Sequence, residues 1–247
     1  MKLSGNTILI TGGGSGIGRE LAVRFHALGN RVIVAGRRRD ALDETIADRE
    51  GMFAAELDVG DPASIEAAAR ALVADYPDLN ILINNAGIMA SEDLGGSRDL
   101  AIAEATVTTN LLGPIRLTNA LIDHLRTRPD AAIVNLTSGL ASVPLVSAPT
   151  YSATKAAIHS YTLSLRQQLK GKVEVIELIP PGVQTNLTPG QSTREGYMPL
   201  EAYVDEVMSL FAIQPTPPEI AVERVKFLRN AEAEGRFVQT FATLNSH

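Results

Sequence analysis

Tyr151 and Lys155 lie four residues apart within a helical pattern that runs from Tyr151 to Leu169. Residues at this spacing share one face of an α-helix. A free phenol has a pKa of about 10, so it exchanges protons poorly at neutral pH. A lysine ammonium ~4 Å away adds about 4 kcal/mol at an effective dielectric of about 20, which is roughly three pKa units. We therefore expect the pKa of Tyr151 to fall and Tyr151 to act as a general acid or base.

Ser138 follows a strand-like run, Ile133 to Leu136, and precedes Tyr151 by thirteen residues. An isolated tyrosine and lysine would more simply pack and snorkel, without any chemistry. Their position after Ser138, at the mouth of a sheet, favours chemistry instead. The serine hydroxyl can donate to a substrate oxygen and stabilise the charge that develops there.

Asn110 lies inside a long helical pattern, Ala101 to Leu125, where asparagine is unfavourable. Pro114, four residues later, has no N–H, so the carbonyl oxygen of Asn110 loses its helical partner. We expect a kinked helix whose freed carbonyl holds a water in a proton path. A kink without a catalytic role is the alternative.

A glycine-rich stretch, Thr11 to Gly18, follows the apolar run Ile8 to Ile10 and precedes a helical pattern. Residues without side chains let the backbone turn sharply and approach a ligand. The helix N-terminus presents unpaired N–H groups and a positive dipole end, which suits a pyrophosphate. An ordinary strand-to-helix loop is the alternative. The expected ligand contacts are Gly12, Ser15, Gly16, Ile17 and Gly18.

The second apolar run, Val32 to Ala35, is followed by Gly36 and then by Arg37 and Arg38. In an NAD site an acidic residue near this place accepts from the ribose 2′-hydroxyl. Arginines at the start of a helix are instead disfavoured by ~0.3–1 kcal/mol each unless an anion lies nearby. The 2′-phosphate of NADP is such an anion, and arginine can donate two bonds to it. We predict NADP(H) rather than NAD(H), whereas a solvated run of charges is the alternative.

Two further loops follow strand-like runs. Asp61 precedes Pro62 and suits the cap of the next helix, which leaves Asp58 free to accept from an adenine amino group. The stretch Asn84 to Gly87 suits a polar turn beside a flat ligand, although a plain turn has the same composition. The expected ligand contacts here are Asp58, Val59, Asn85, Ala86 and Gly87.

Strand-like runs alternate with helical patterns along the whole chain, with no internal repeat and no linker composition. This alternation indicates βαβ units, a parallel sheet and a single α/β domain over residues 1–247. The strand-like runs are Ile8 to Ile10, Val32 to Ala35, Phe53 to Leu57, Ile81 to Ile83, Ile133 to Leu136 and Val173 to Ile179.

Composition narrows the classes of partner. The net charge of −6 argues against a general nucleic-acid-binding surface. The chain has no cysteine, and its four histidines (His26, His124, His159 and His247) are scattered, so we predict no metal site. No apolar stretch approaches the ~20 residues that cross a membrane, and the start resembles no signal peptide. We expect a cytoplasmic protein without a membrane or nucleic-acid partner.

These residues jointly resemble the short-chain dehydrogenase/reductase family. Thr11 to Gly18 is similar to its Thr-Gly-x-x-x-Gly-x-Gly motif, and Asn84 to Gly87 is similar to its Asn-Asn-Ala-Gly motif. The resemblance covers about residues 5–186. The stretch Pro180 to Thr185 and the tail Val222 to Asn230 are similar to the DltE-like oxidoreductases. Residues that match the family's catalytic tetrad in order and spacing are Asn110, Ser138, Tyr151 and Lys155.

The resemblance implies a Rossmann fold, that is, a doubly wound parallel β-sheet with helices on both faces. It also implies a nicotinamide cofactor that supplies a hydride, reversible carbonyl–alcohol chemistry and a homo-oligomer, either a dimer or a tetramer. Lys155 would also hold the nicotinamide ribose, and Asn110 would order the relay water. The loop after the sixth strand would contact the nicotinamide carboxamide through Pro181, Gly182, Val183 and Thr185.

The chain departs from the family pattern in two places. Pro181 stands where glycine is usual, and the usual C-terminal strand that closes in Asp-Gly-Gly is missing. Arg236 to Thr240 is the only candidate for a short strand near that end. Because this edge often carries tetramer contacts in the family, the departure bears on the oligomeric state.

Residues 187–213 match the region that forms a substrate lid in the family, with a loop at Thr188 to Thr193 and an amphipathic helix at Leu200 to Phe211. A surface excursion is the alternative. Apolar residues after Ser138 would line the opposite wall and favour a ketone or aldehyde with a hydrophobic body. The expected substrate contacts are Ser138, Leu140, Val143, Pro144 and Tyr151.

The leading hypothesis is an NADPH-dependent carbonyl reductase that interconverts ketones and secondary alcohols. A 3-oxoacyl-[acyl-carrier-protein] reductase is an alternative, which a basic docking patch near the lid would favour, but the sequence offers little beyond Arg194 there. A binding protein that senses NADP(H) and catalyses nothing is a second alternative, which an intact tetrad disfavours.

Overall fold

The computed structural model describes residues 1–246, which contain a seven-stranded sheet in the order β3-β2-β1-β4-β5-β6-β7. Every neighbouring pair of strands runs parallel. The strands are β1 (Thr7–Thr11), β2 (Arg31–Gly36), β3 (Met52–Glu56), β4 (Leu79–Asn84), β5 (Ala132–Leu136), β6 (Glu174–Ile179) and β7 (Glu219–Ala221). The first six coincide with the predicted apolar runs within one or two residues, and the short edge strand β7 was not predicted.

Helices connect the strands and cover both faces of the sheet. Their bounds are α1 (Gly16–Ala27), α2 (Arg39–Ile46), α3 (Pro62–Asp75), α4 (Ala101–Val107), α5 (Gly113–Leu125), α6 (Pro149–Gln168), α7 (Leu200–Phe211), α8 (Lys226–Arg229) and α9 (Phe237–Leu244). The predicted amphipathic helix Leu200 to Phe211 is α7. The predicted doubly wound α/β fold is confirmed.

Two buried clusters lie on opposite faces of the sheet because side chains alternate along each strand. Ile8 and Ile10 of β1 face a cluster that includes α1, α2 and α7, where the rings of Phe25 and Phe211 pack edge to face at 5.7 Å. Leu9 of the same strand faces a cluster that includes α3 and α5. The strands are therefore apolar on both sides, as parallel strands covered by helices require.

The predicted helix Ala101 to Leu125 is interrupted. A π-helical turn, Thr108–Leu112, separates α4 from α5 and contains Asn110. Gly113 donates from its backbone N–H to the carbonyl of Thr108, which is five residues earlier. The irregularity ends two residues before Pro114, whose missing N–H prevents a regular α-helix at this place.

The candidate strand Arg236 to Thr240 is wrong, because Phe237 to Thr240 form the first turn of α9 and Arg236 is its N-cap. Phe237 and Phe241 are four residues apart and their rings stack at a centroid distance of 6.0 Å, which a helix permits and a strand does not. β7 forms the last strand of the sheet at this end. The C-terminal segment therefore packs as a helix and adds no further strand.

The hydroxyl of Tyr203 in α7 is buried without a hydrogen-bond partner in the described part of the chain. A buried polar group without a partner reduces stability. Tyr203→Phe should therefore raise the free energy of unfolding by about 1 kcal/mol, as measured by urea denaturation. Tyr76→Phe, at a partly exposed ring, is the matched control and should change little. A loss of stability in Tyr203→Phe would contradict this prediction.

Candidate active site

The carboxyl ends of the central strands surround one cleft. Its wider part has a volume of about 490 Å³, within the range of about 300–1,000 Å³ that small-molecule sites occupy. A second part of about 200 Å³ continues from it and shares several lining residues. Predicted contact residues that line the cleft are Gly12, Ser15, Gly16, Ile17, Arg37, Arg38, Asp58, Val59, Asn85, Ala86, Gly87, Tyr151, Lys155 and Thr185.

The glycine turn leaves the N-terminus of α1 open toward the cleft. Gly12 and Gly16 have positive φ angles of 67° and 54°, a conformation that favours glycine. A Cβ atom on Gly18 would lie 2.4 Å from Asn85 Nδ2, so this position admits no side chain. Ser15 caps the helix without a side-chain hydrogen bond, and the first turn has no acidic residue. The turn can therefore accept an anion.

Thr11, which sequence reasoning did not single out, fastens the Asn84 to Gly87 turn to β1. Its Oγ1 accepts from the backbone N–H groups of Asn85 and Ala86, at 3.0 Å each. Asn85 Nδ2 donates to the Thr11 carbonyl at 2.8 Å. The sequence shows a threonine at the end of a strand beside a glycine turn. It does not show which groups this threonine binds, because they are about 74 residues away along the chain.

Arg37 and Arg38 lie at the rim of the cleft, between β2 and α2. Within residues 1–246 neither forms an ion pair, whereas the neighbouring Arg39 pairs with Asp43 at 2.9 Å. Arg38 stands at the N-cap of α2, where the positive end of the helix dipole disfavours a cation. Two exposed guanidinium groups at this place suit an anionic ligand.

Asp61 and Asp58 differ in what they bind. Asp61 Oδ1 accepts from Ala63 N at 2.9 Å, so the predicted cap of α3 is confirmed. Asp58 Oδ1 accepts from Gly60 N at 2.8 Å, and the Asp58 backbone N–H donates to Ser64 Oγ at 3.0 Å. One carboxylate oxygen of Asp58 is therefore engaged within its own loop, while the residue lines the narrower part of the cleft.

Tyr151 and Lys155 are buried on the face of α6 that meets the sheet. Lys155 Nζ lies 5.5 Å from the centroid of the Tyr151 ring and donates to the Leu136 carbonyl at 2.8 Å. Ser138 is also buried, and its Oγ accepts from Leu140 N at 3.1 Å at the start of a short 3₁₀ turn. The end of β5 therefore supplies both the carbonyl that holds Lys155 and the neighbouring hydroxyl.

Burial controls the protonation of both groups. It raises the pKa of Tyr151 to about 12, with the Tyr197 phenol adding to the shift and the Ser138 hydroxyl opposing it. It lowers the pKa of Lys155 to about 8. The expected fall in the tyrosine pKa is therefore wrong here, because desolvation of the buried phenolate dominates the shift. At neutral pH the Tyr151 phenol is protonated and can donate.

Asn110 forms hydrogen bonds through its side-chain amide, whereas the sequence predicted a role for its backbone carbonyl. Its Oδ1 accepts from Ile88 N at 2.9 Å, and its Nδ2 donates to the Ile88 carbonyl at 2.8 Å. Nδ2 also approaches Thr154 Oγ1, on α6, at 3.4 Å. Asn110 thus ties the segment after β4 to the helix that carries Tyr151, a role that sequence reasoning missed.

A buried chain of amides links β4, β5 and α6. Asn84 Nδ2 donates to Asn135 Oδ1 at 2.9 Å, and Asn135 Nδ2 donates to Thr162 Oγ1 at 2.9 Å. Because each buried amide has a partner, the chain fixes the position of α6 across the sheet. Neither Asn135 nor Thr162 stands in a motif that sequence reasoning recognises.

The loop after β6 is held by the segment that follows it. Gln191 Nε2 donates to the Val183 carbonyl at 2.8 Å and to Thr185 Oγ1 at 3.1 Å. The ring of Tyr197 packs on Gly182, where a Cβ atom would lie 3.1 Å from three ring atoms. Among the predicted contacts of this loop, Thr185 lines the cleft, whereas Pro181, Gly182 and Val183 do not.

The predicted apolar wall after Ser138 lies apart from the cleft. Val143 is fully buried, and Leu140 and Pro144 are not among the cleft residues. Asn245, at the end of α9, accepts from Val146 N at 2.8 Å and donates to the Pro144 carbonyl at 3.1 Å. The C-terminal end of α9 therefore holds the loop after Ser138 by hydrogen bonds.

Neither a metal-binding cluster nor a membrane-spanning helix occurs in the described residues. They contain no group of three or more His, Cys, Asp or Glu side chains that could hold a metal ion, and His247 lies outside them. No helix within residues 1–246 combines the length and the apolar character needed to cross a membrane.

A sequence model of the short chain dehydrogenase family matches residues 6–196. The chain belongs to this family. It is 40% identical over 235 residues to the "Uncharacterized oxidoreductase DltE" of Bacillus subtilis, which covers 94% of this chain and 93% of that protein. The predicted family, the similarity to DltE and the predicted oxidoreductase class are confirmed.

Two further members have more informative descriptions. The "NADP-dependent 3-hydroxy acid dehydrogenase YdfG" of Escherichia coli (strain K12) is 32% identical over 178 residues, or 71% of each chain. The structure of a short-chain dehydrogenase from Sphingobium yanoikuyae in complex with NADPH superposes with a TM-score of 0.80 at 25% identity, covering 95% of each chain. This short-chain dehydrogenase thus shares its fold with nicotinamide-dependent members of the family.

The depressed pKa of Lys155 predicts how stability depends on pH. At pH values between about 8 and the pKa of this lysine in the unfolded chain, the lysine is more fully protonated in the unfolded chain than in the folded protein. The free energy of unfolding therefore rises with pH in this range. Lys155→Met should be more stable than the wild type at pH 7, and the difference should shrink by about 1–2 kcal/mol by pH 9.5. Urea denaturation measures both values, with exposed Lys170→Met as control. A difference that grows with pH would contradict the assignment.

Proposed function

We propose that this protein is an NADPH-dependent carbonyl reductase that interconverts ketones or aldehydes and the corresponding alcohols. The observation that supports this most directly is one cleft that combines Tyr151 and Lys155 with a glycine turn and the exposed Arg37 and Arg38. The NADP dependence of the E. coli relative and the NADPH complex of the Sphingobium structure agree with the cofactor.

The residues present fit the cofactor. Gly12 to Gly18 and the N-terminus of α1 would hold the pyrophosphate, because Gly12 and Gly18 leave no room for a side chain and the helix end accepts an anion. Arg37 and Arg38, with Ser15, would hold the 2′-phosphate, and Asp58 with Val59 would lie beside the adenine. When bound, the cofactor supplies the hydride for the carbonyl carbon.

Each catalytic group would have a distinct task. The Tyr151 phenol, protonated at neutral pH, donates its proton to the carbonyl oxygen of the substrate. The Ser138 hydroxyl donates a hydrogen bond to the same oxygen and stabilises its developing charge. The Lys155 ammonium stabilises the tyrosinate that remains, and Asn110 holds the segment at Ile88 that lines the cleft. Water near Asn110 would return the proton to Tyr151.

Residues 187–213 would form the lid over the substrate. Leu187 lines the cleft, and Met198 exchanges backbone hydrogen bonds with Gly182 and Gln184, both at 2.8 Å. The lid is therefore attached to the loop after β6 by main-chain bonds that a short movement can break and remake.

A 3-hydroxy acid is a second candidate substrate, which the E. coli relative and one arginine favour. Arg194 lies over the Tyr197 ring at 5.2 Å, and the Tyr197 phenol is close enough to Tyr151 to influence its pKa. A guanidinium on the lid itself suits a substrate carboxylate. No contact of this kind in the described structure favours a 3-oxoacyl thioester substrate or a noncatalytic sensor of NADP(H).

Tyr151→Phe tests the catalytic assignment. It removes the proton donor without changing the ring, so turnover should fall by about 10³-fold or more while NADPH binding stays within about twofold. NADPH absorbance measures turnover on a panel of hydrophobic ketones, aldehydes, 3-oxo acids and 3-oxoacyl thioesters. NADPH fluorescence measures binding. Wild-type rates in Tyr151→Phe would contradict the role of Tyr151. A wild-type protein that binds NADPH but reduces no compound on the panel would favour a noncatalytic sensor of NADP(H).

Arg37→Ala tests the cofactor assignment. The loss of a charge-assisted bond to the 2′-phosphate should raise the Kd for NADPH by about 10–100-fold and leave the Kd for NADH within about twofold. Arg39→Ala, whose guanidinium pairs with Asp43, is the matched control and should change neither value. An equal weakening for both cofactors would overturn the 2′-phosphate contact.

A further inference from the structure

Glu92 is a nearly buried carboxylate that neither the motifs nor the proposed mechanism uses. It lies in residues 88–100, which follow the Asn84 to Gly87 turn and form no helix or strand before α4. Its side chain is only 3% exposed. A buried carboxylate without hydrogen-bond partners would be strongly unfavourable. The partners of Glu92 therefore indicate which part of the structure it holds in place.

Those contacts converge on the first turn of α6. Glu92 Oε1 accepts from Thr150 N at 3.1 Å, and Oε2 accepts from Thr150 Oγ1 at 2.9 Å. Arg98 Nη2 donates to Oε2 at 3.0 Å, and the Glu92 backbone N–H donates to the Ser147 carbonyl at 3.0 Å. Hydrogen bonds to Thr150 and Arg98 outweigh burial and lower the pKa of Glu92, which keeps it ionised.

The helix has no cap of its own at this end. Ala148 occupies the N-cap position and has no hydrogen-bonding side chain, and Pro149 follows it. The first N–H groups of a helix need acceptors, and a carboxylate there also interacts favourably with the helix dipole. Glu92 supplies both from a segment 58 residues away. The next residue after Thr150 is Tyr151.

We propose that Glu92 is a positioning residue for Tyr151, because it fixes the first turn of α6 and thereby the phenol relative to Ser138. Asn110 holds the start of the same segment at Ile88, so the segment is tied at one end to the π-helical turn and at Glu92 to α6. Loss of the carboxylate frees the first turn of α6, moves the phenol and admits water to it. This inference rests on the proposed role of Tyr151.

Glu92→Ala tests the proposal on the substrate that the wild type reduces. A small displacement of the reacting groups should lower kcat by about tenfold or more, whereas the Kd for NADPH should stay within about twofold, since Arg37 and the glycine turn are remote from the change.

Two variants separate positioning from folding. Glu92→Gln keeps an acceptor for Thr150 N and should retain kcat within about threefold of the wild type, which also covers the case in which Glu92→Ala does not fold. Asp93→Ala removes a neighbouring carboxylate that accepts from Gly95 N within its own loop, and should leave kcat unchanged.

Three results would overturn the proposal: a kcat in folded Glu92→Ala within about twofold of the wild type, an equal loss in Asp93→Ala, or a loss in Glu92→Gln as large as that in Glu92→Ala. Tyr151→Phe, measured in parallel, distinguishes the two levels of inference. An active Tyr151→Phe would remove the proposed function itself, whereas an inactive Tyr151→Phe beside an unaffected Glu92→Ala would remove only the role of Glu92.

Discussion

The burial of a phenol and an ammonium side by side, against the carboxyl edge of the sheet, is the constraint on which the rest of the structure depends. Desolvation disfavours the phenolate of Tyr151 and the ammonium of Lys155, and their pKa values move accordingly, to about 12 and about 8. The Leu136 carbonyl is the acceptor that makes the buried ammonium tolerable. A protonated donor beside a cation is the state that the proposed carbonyl reduction needs, because the charge left on the tyrosine is then balanced.

Such a pair functions only if its helix is held rigidly, and the structure holds α6 by polar contacts from several directions. The Asn84–Asn135–Thr162 chain fixes its buried face. Asn110 approaches it at Thr154, and Glu92 accepts from its first turn. Buried hydrogen bonds are directional, so they specify the position of the helix along the sheet more narrowly than apolar packing does.

The local charge at the rim of the cleft is opposite in sign to the overall charge of the protein. The net charge is −6, yet Arg37 and Arg38 stand exposed at the rim of the cleft without an ion-pair partner in the described residues. A local cationic rim on an acidic protein attracts an anionic ligand at short range, where screening by salt is weakest. The narrow part of the cleft continues from these arginines to Asp58 and Val59.

The sequence by itself determined the parallel α/β fold, the glycine turn, the cap of α3 by Asp61 and the order of the candidate catalytic residues. These features follow from local rules, because apolar runs, residues without side chains and capping groups act within a few positions of themselves. Tertiary structure decided the sign of the pKa shift of Tyr151, since desolvation depends on everything that packs around a group. It also decided that residues 237–244 form a helix and that Thr11, Glu92, Gln191 and Asn245 act on loops distant in the chain. Such partners are brought together only by the fold, so the spacing of residues along the sequence does not predict them.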